Sequence, residues 1–387
     1  MKCVYHEQQI CNSCTLLGLE YNQTLQQKIQ TLTSLFPDAA IGPFRGVSSP
    51  QGGRIRAKLA VSGSLDELQI GFFDDQQKVI PVDQCPLHHA LINDSIAHIR
   101  QMIQAARLVP YDPGSDRGEL KFVVLTCSPS HQQLMIQFVL RSKEAVDRIR
   151  SLWRKMTETE RQGIAIMSIN IQPARSSAIS GREEVAVSEQ TMLPIRFDVS
   201  DTDNRDLLFG PQSFLQTNYE IATALYAATR GMIQASEAKR VLDLYCGIGA
   251  FSLTACSSEQ SVVGIDNSEN AVACANETVR RSGLSNAEFQ CRSLDCTSAD
   301  QLTNSNFDTI ICNPPRRGLD AASRALIFAI HPPQVIYSSC NPATLQRDIA
   351  ELAAKYQIVE LYPFDMFPFT PHFEVLALLQ RKAVRSW

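Results

Sequence analysis

Between residues 21 and 36, leucine and isoleucine recur at helical spacing among polar residues, which predicts an amphipathic helix ending before Pro37. Arg54-Ile-Arg-Ala-Lys58-Leu-Ala-Val then alternates basic and apolar positions, the period of a strand with one buried and one cationic face. A solvated edge strand with protective charges has the same pattern. Residues 68–82 read as a hairpin turned at Asp74-Asp75 and leading to Cys85, and residues 91–108 as a helix. Residues 119–126 and 133–140 are paired strands, followed by a helix over 143–156 and a strand over 164–171. This β-β-α-β order predicts a compact α+β domain.

After the polar run Ser200-Asp-Thr-Asp-Asn-Arg-Asp206 the pattern changes to alternating strand and helix. Residues 209–218 form a loop into a helix over 219–232. Residues 241–245, 261–266 and 307–312 are strands, and the first of them runs into the glycine turn Cys246-Gly-Ile-Gly-Ala. Val335-Ile-Tyr-Ser-Ser-Cys340-Asn-Pro342 reads as a buried strand that stops at a thiol, because proline cannot extend a ladder. A helix over 344–356 and a strand over 375–379 follow, the last pairing being antiparallel. The expected fold is α/β: a Rossmann-like C-terminal domain over 206–387, preceded by an α+β domain over 1–205.

With 387 residues the chain can bury a sizeable core. It contains no apolar run long enough to span a bilayer, and its first residues lack the apolar core of a signal peptide, so a cytoplasmic location is expected. In that reducing compartment the twelve cysteines are not expected to form disulfides. The net charge of −4 gives no support to non-specific nucleic-acid binding, so any RNA partner must meet a local basic patch. Arg141, Lys143, Arg148, Arg150, Arg154 and Lys155 gather near one helix, but Glu144 and Asp147 interrupt them, so a solvated face is the expectation and RNA contact the lesser alternative.

Cys246, Cys256, Cys274, Cys291, Cys296, Cys312 and Cys340 are scattered, as core positions are, whereas Cys3-x7-Cys11-x2-Cys14 is a cluster, with Cys85-Pro86 as a fourth candidate. Four thiolates can hold zinc or an iron–sulfur centre. Structural zinc sites pair two short knuckles, and Cys85 has no close partner. The three-plus-one spacing therefore favours a [4Fe–4S] cluster over zinc or free thiols, within residues 1–90.

Gly247-x-Gly249 lets the backbone approach a ligand closely, and Asp266, at the end of the next strand, is placed to bind ribose hydroxyls. A dinucleotide turn would need a third Gly or Ala, to seat a pyrophosphate against the helix, where Ser252 stands. A ligand with ribose and no pyrophosphate fits better, and S-adenosylmethionine is such a ligand. Asn313-Pro-Pro suggests amino-group methylation of adenine, yet Arg316 stands where an aromatic would stack on the base. Methylating a pyrimidine C5 instead requires a thiolate to add at C6 and a base to remove the C5 proton. Cys340 and Glu374 supply that pair. A lone cysteine is more often a small core residue, and it is the donor turn upstream and the carboxylate downstream that set Cys340 apart.

Ser-Phe-Leu-Gln216-Thr-Asn, Asp243-Leu-Tyr-Cys-Gly-Ile-Gly, Asn313-Pro-Pro-Arg-Arg-Gly, Tyr337-Ser-Ser-Cys340-Asn-Pro and His372-Phe-Glu374-Val together resemble the RNA uracil-C5 methyltransferase family. The resemblance implies a class I S-adenosylmethionine methyltransferase fold, with Cys340 as nucleophile and Glu374 as proton acceptor. It also implies that Gln216, Tyr245, Asp266 and Asn313 contact the methyl donor. Many members carry Asp where Asn313 stands, which speaks against an acid–base role there. Cys3, Cys11, Cys14 and Cys85 match the family's [4Fe–4S] ligands and set the chain apart from the tRNA-specific branch. The sequence also resembles the short branch without a preceding oligonucleotide-binding barrel, which acts on a hairpin-loop uridine of 23S rRNA, the 747 site. That implies 23S rRNA as partner; a monomer is expected, with neither DNA nor membrane as a further partner. An RNA cytosine-C5 methyltransferase, or an enzyme for another uridine in rRNA or tRNA, is the alternative.

Overall fold

The structure is a computed structural model that describes residues 1–74, 76–173, 179–293, 302 and 305–383. Asp75 of the expected hairpin turn and Cys296 lie outside the described residues. The chain divides into two compact units, each discontinuous in sequence, where the sequence reading expects one boundary at 205/206. The first comprises Met1–Cys14, Ser49–Ile195 and Phe209–Thr217; the second comprises Thr15–Ser48, Arg196–Leu208 and Asn218–Trp387.

Helix α1 (Val4–Glu7) opens the first unit, while α2 (Tyr21–Leu35) belongs to the second. The first unit is built on a seven-stranded sheet of β1 (Arg56–Gly63), β2 (Leu68–Phe73), β3 (Val79–Pro81), β4 (Leu120–Ser128), β5 (Gln133–Leu140), β6 (Ile164–Ile171) and β7 (Glu183–Ala186), in the order β3-β2-β1-β4-β5-β6-β7. Its helices are α3 (Ala90–Ala105), α4 (Val146–Lys155) and α5 (Glu158–Arg161). The alternation read in β1 is realised: Ala57, Leu59 and Val61 are buried, whereas Lys58 is exposed. The register aligns Lys58 with Val124, Gln137 and Ser168 on one face of the sheet. Strands β5 and β6 run parallel, with α4 and α5 in the crossover between them.

Short strands β8 (Leu193–Arg196) and β9 (Asp206–Phe209) lie where the chain passes between the units. In the second unit α6 (Tyr219–Ala235), α7 (Ala250–Ala255), α8 (Glu269–Arg281), α9 (Ala321–Ile330) and α10 (Pro342–Leu352) alternate with β10 (Arg240–Leu244), β11 (Ser261–Asp266), β12 (Ala287–Cys291), β13 (Thr309–Cys312) and β14 (Gln334–Ser339). β15 (Tyr356–Phe364) and β16 (Glu374–Arg381) complete a sheet ordered β12-β11-β10-β13-β14-β16-β15. The first five strands are parallel, and β16 pairs antiparallel with both β14 and β15. Strand order reverses at β10, and in such sheets ligands bind at that switch point, beyond the carboxyl ends of the strands.

The helix expected over 344–356 ends at Leu352, and Tyr356 instead opens β15. Tyr356, Ile358 and Tyr362 are strand formers paired with β16, and Val359 sits at an irregularity between Ile358 and Glu360. Leu32 and Phe36 of the N-terminal segment share a buried cluster with Val335, Tyr337, Leu345 and Phe373. The apolar stripe of α2 thus packs into the core of the second unit, not against its sequence neighbours.

Candidate active site

The chain reverses sharply after β10. Tyr245, Gly247 and Gly249 all have left-handed backbone, with φ of 59°, 54° and 75°. Glycine tolerates this freely; at Tyr245 it is strained, and the ring is anchored by a 2.6 Å hydrogen bond between its hydroxyl and Ser323 Oγ. A Cβ on Gly249 would come 2.6 Å from Phe289, whereas one on Gly247 would meet nothing within 4 Å. The turn therefore leaves open space beside Gly247. Asp266 holds it in place: its Oδ2 accepts from the Gly247 N–H at 2.9 Å and its Oδ1 from the Ser268 N–H at 2.8 Å.

Beneath the turn lies Asp243, a buried acid to which the sequence assigns no role. Its Oδ2 accepts from Ser252 Oγ at 2.6 Å, and its Oδ1 is buried with no hydrogen-bond partner among the described residues. Burial pushes this carboxyl up to about 7, with Ser252 opposing the rise and Asp266 adding to it. An acid interrupting an otherwise apolar strand was the available signal.

Asn313 follows β13 directly and is half-buried, with no side-chain hydrogen bond among the described residues. Tyr245, Asp266 and Asn313 all belong to the second unit. Gln216, the fourth expected donor contact, is buried in the first unit's 209–217 segment.

Cys340 sits between the end of β14 and the start of α10. The sequence forces that junction: Asn341 caps the helix, its Oδ1 accepting from the Ala343 N–H at 3.2 Å, and Pro342 occupies the first helical position. Glu374 begins β16, whose register places Val375 opposite Ser339. The two expected catalytic residues thus stand at neighbouring strand ends. Glu374 is only 1% exposed, and its Oε1 accepts from Ser338 Oγ at 2.6 Å. Burial pushes its carboxyl up to about 7 against the pull of that hydrogen bond. The half-buried Cys340 thiol is pushed up by burial and then by the Glu374 charge, and drawn down by the charge of Arg316 and a hydrogen bond to it. Arg316, noted in the sequence only for not being aromatic, is thus the cation beside the thiol.

In the first unit Cys3, Cys11, Cys14 and Cys85 are all half-buried. Their charges reach one another: Cys14 is pushed up to about 12 by burial, with Cys85, Cys11 and Cys3 adding and Arg54 opposing. Tyr5 Oη accepts from the backbone N–H groups of Asp83 and Gln84, both at 3.1 Å, which ties the N-terminal turn to the segment carrying Cys85. Among the described residues no group of three or more His, Cys, Asp or Glu is arranged to hold a metal ion.

The family model for tRNA (uracil-5-)-methyltransferase matches residues 20–382. The chain belongs to that family. As a member of the tRNA (uracil-5-)-methyltransferase family it is also similar, at 34% identity, to the 23S rRNA (uracil(747)-C(5))-methyltransferase RlmC of Haemophilus influenzae over 99% of both chains. The protein of the same name from Yersinia enterocolitica is likewise 34% identical, over 98% of this chain and 99% of its own. Among solved structures, Pyrococcus abyssi tRNA (uracil-54, C5)-methyltransferase in complex with S-adenosyl-L-homocysteine matches with a TM-score of 0.76 and 26% identity, over 95% of this chain and 85% of that one. The second unit accordingly has the class I S-adenosylmethionine methyltransferase fold of the family. Among the described residues no helix is long and apolar enough to cross a membrane.

Proposed function

We propose that this enzyme methylates C5 of the 747 uridine of 23S rRNA, using S-adenosylmethionine and a transient bond from Cys340 to C6 of uracil. The reading is carried by one observation: a half-buried thiol, Cys340, and a buried carboxylate, Glu374, stand at adjacent strand ends in a fold that binds the methyl donor. The names of the relatives, matched over nearly full length, support the 23S rRNA target.

In the proposed sequence the Cys340 thiolate adds to C6, and the C5=C6 electron pair moves towards O4 as an enolate. C5 then attacks the sulfonium methyl, and S-adenosylhomocysteine leaves. Glu374 takes the C5 proton, the electrons of that C–H bond restore C5=C6, and the thiolate departs. Arg316 stabilises the thiolate before addition and after release. Glu374 suits the proton step because burial makes it a stronger base than an ordinary carboxylate. The target base must leave its stack to reach either group.

For the donor we assign Tyr245, Asp266, Asn313 and Gln216 as contacts and add Asp243, whose unpartnered, buried Oδ1 fits the ammonium end of the ligand. For the first unit we assign Cys3, Cys11, Cys14 and Cys85 as ligands of a [4Fe–4S] cluster. The mutual influence of their charges and the tie through Tyr5 support this. When bound, the cluster would act as a structural clasp; methyl transfer needs no electron. RNA recognition falls to the first unit, which holds most of residues 1–205, and methyl transfer to the second, which holds most of residues 206–387, in a cytoplasmic monomer.

The likeness to a tRNA enzyme supports a second target, a tRNA uridine. Mapping 5-methyluridine in rRNA and tRNA from a strain lacking the gene separates the two. Loss at position 747 alone is expected, and loss from tRNA alone overturns the rRNA assignment.

A further inference from the structure

Cys340 leads straight into α10, and the loop over residues 313–319, which carries Arg316, lies along that helix. Three main-chain groups of the loop are held there. The Arg316 carbonyl accepts from Asn341 Nδ2 at 3.3 Å and from Thr344 Oγ1 at 3.2 Å. The Arg317 carbonyl accepts from Arg347 Nη2 at 2.7 Å, and the Leu319 N–H donates to Asp348 Oδ2 at 2.7 Å. Asp348 is the hub of this set and is completely buried. The same Oδ2 accepts from the Tyr337 hydroxyl at 2.7 Å, which brings in β14, and Oδ1 accepts from Arg347 Nε and Nη2 at 3.0 and 2.7 Å. Arg324 Nη1 lies 3.8 Å from Oδ1. Gly318 passes so close that a Cβ there would collide with the Asp348 carboxylate. One buried carboxylate therefore joins the strand that ends at the nucleophile, the helix that follows it and the loop that supplies its cation.

We propose that Asp348 is a positioning residue for the nucleophile, fixing the 313–319 loop so that the Arg316 guanidinium stays on the Cys340 thiol. This rests on the reading of Cys340 as nucleophile. The groups that face the thiol are Arg316 from the loop and Glu374 from β16, with His372 beside Arg316. A hydrogen bond is lost over a displacement of about 1 Å. Freeing the loop therefore removes most of what opposes Glu374 and leaves the thiol harder to ionise. Asp348 does not hydrogen-bond the thiol; it acts on it either through the loop that carries Arg316 or through Tyr337 of β14, and the double variant below separates the two routes.

The test is the rate at which iodoacetamide alkylates Cys340 in the full chain, followed against pH by peptide mass spectrometry so that the other cysteines are read apart. Asp348→Asn is expected to move the profile to higher pH and to slow alkylation at pH 7 about tenfold, the consequence of a midpoint raised by about one unit. Arg316→Gln is expected to produce a shift of the same sense, and adding Asp348→Asn to it no further one, since both act through one contact. Arg347→Gln, at a half-exposed side chain that holds the Arg317 carbonyl, is expected to give a smaller shift in the same direction. An unchanged profile in folded Asp348→Asn, or additive shifts in the double variant, overturns the proposal. Should Asp348→Asn not fold, Arg347→Gln decides, and no shift there overturns it. Full methylation by Cys340→Ala would instead overturn the nucleophile reading, and alkylation does not depend on that outcome.

Discussion

Ser338 Oγ donates to Glu374 Oε1 across 2.6 Å, joining the penultimate residue of β14 to the first residue of β16. Glu374 is otherwise surrounded by core, and burial pushes it up to about 7 in spite of that bond. Proton removal requires the carboxylate, so the release of methylated RNA from the covalent complex is expected to rise with pH through about 7. Ser338→Ala removes the bond that favours the charged form and is expected to move this rise to higher pH. Rapid-quench measurement of release across pH checks both; a flat profile would remove Glu374 from the proton step.

The same burial affects stability. Glu374 has a folded value of about 7 against an ordinary 4.5, so the folded state binds the extra proton between those limits. Its burial costs nothing below about pH 4.5, and the cost grows through the window and is complete above about pH 7. Glu374→Gln lacks this titration. Relative to the parent it is expected to gain about 3 kcal/mol between pH 4.5 and pH 8, read as the change in the urea-unfolding difference.

Gly247 and Gly249 share a left-handed backbone but differ in surroundings. Gly247→Ala introduces a Cβ into open space, so it is expected to cost only the backbone strain, about 1–2 kcal/mol, while weakening S-adenosylmethionine at least tenfold. Gly249→Ala also drives into Phe289 and is expected to cost about 2–4 kcal/mol in stability. Calorimetric titration of the donor, paired with unfolding curves, distinguishes the two. Equal donor binding by parent and Gly247→Ala would place the donor elsewhere.

Anaerobically purified protein is expected to hold iron and sulfide near four each per chain, and Cys85→Ser to lose both. Stoichiometric zinc without sulfide would replace the cluster with a zinc site.

Much of the catalytic half was readable because its residues occupy positions with local grammar. Cys340 ends a run of strand formers before a proline, and Gly247 and Gly249 follow an apolar strand. What escaped depends on contacts between distant segments. The apolar stripe of α2 predicts a helix but not its partner, so Leu32 gives no hint that it joins the buried cluster of Val335 and Tyr337. Tyr356 looked like a helix end until β16 supplied its pairing. Arg316 and Asp348 are ordinary charged residues in sequence, and only the close approach of Leu319, Tyr337 and Cys340 gives them a task.

The central claim is a covalent bond between sulfur and uracil, and the most direct measurement uses 23S rRNA fragments carrying 5-fluorouridine at position 747. Fluorine cannot leave as a cation, so after methyl transfer the adduct has no route to release. With S-adenosylmethionine present, the parent enzyme is expected to migrate with RNA on a denaturing gel, and Cys340→Ala to show no such band. A Cys340→Ala variant that forms the adduct, or that methylates unmodified RNA at the parent rate, would contradict the account.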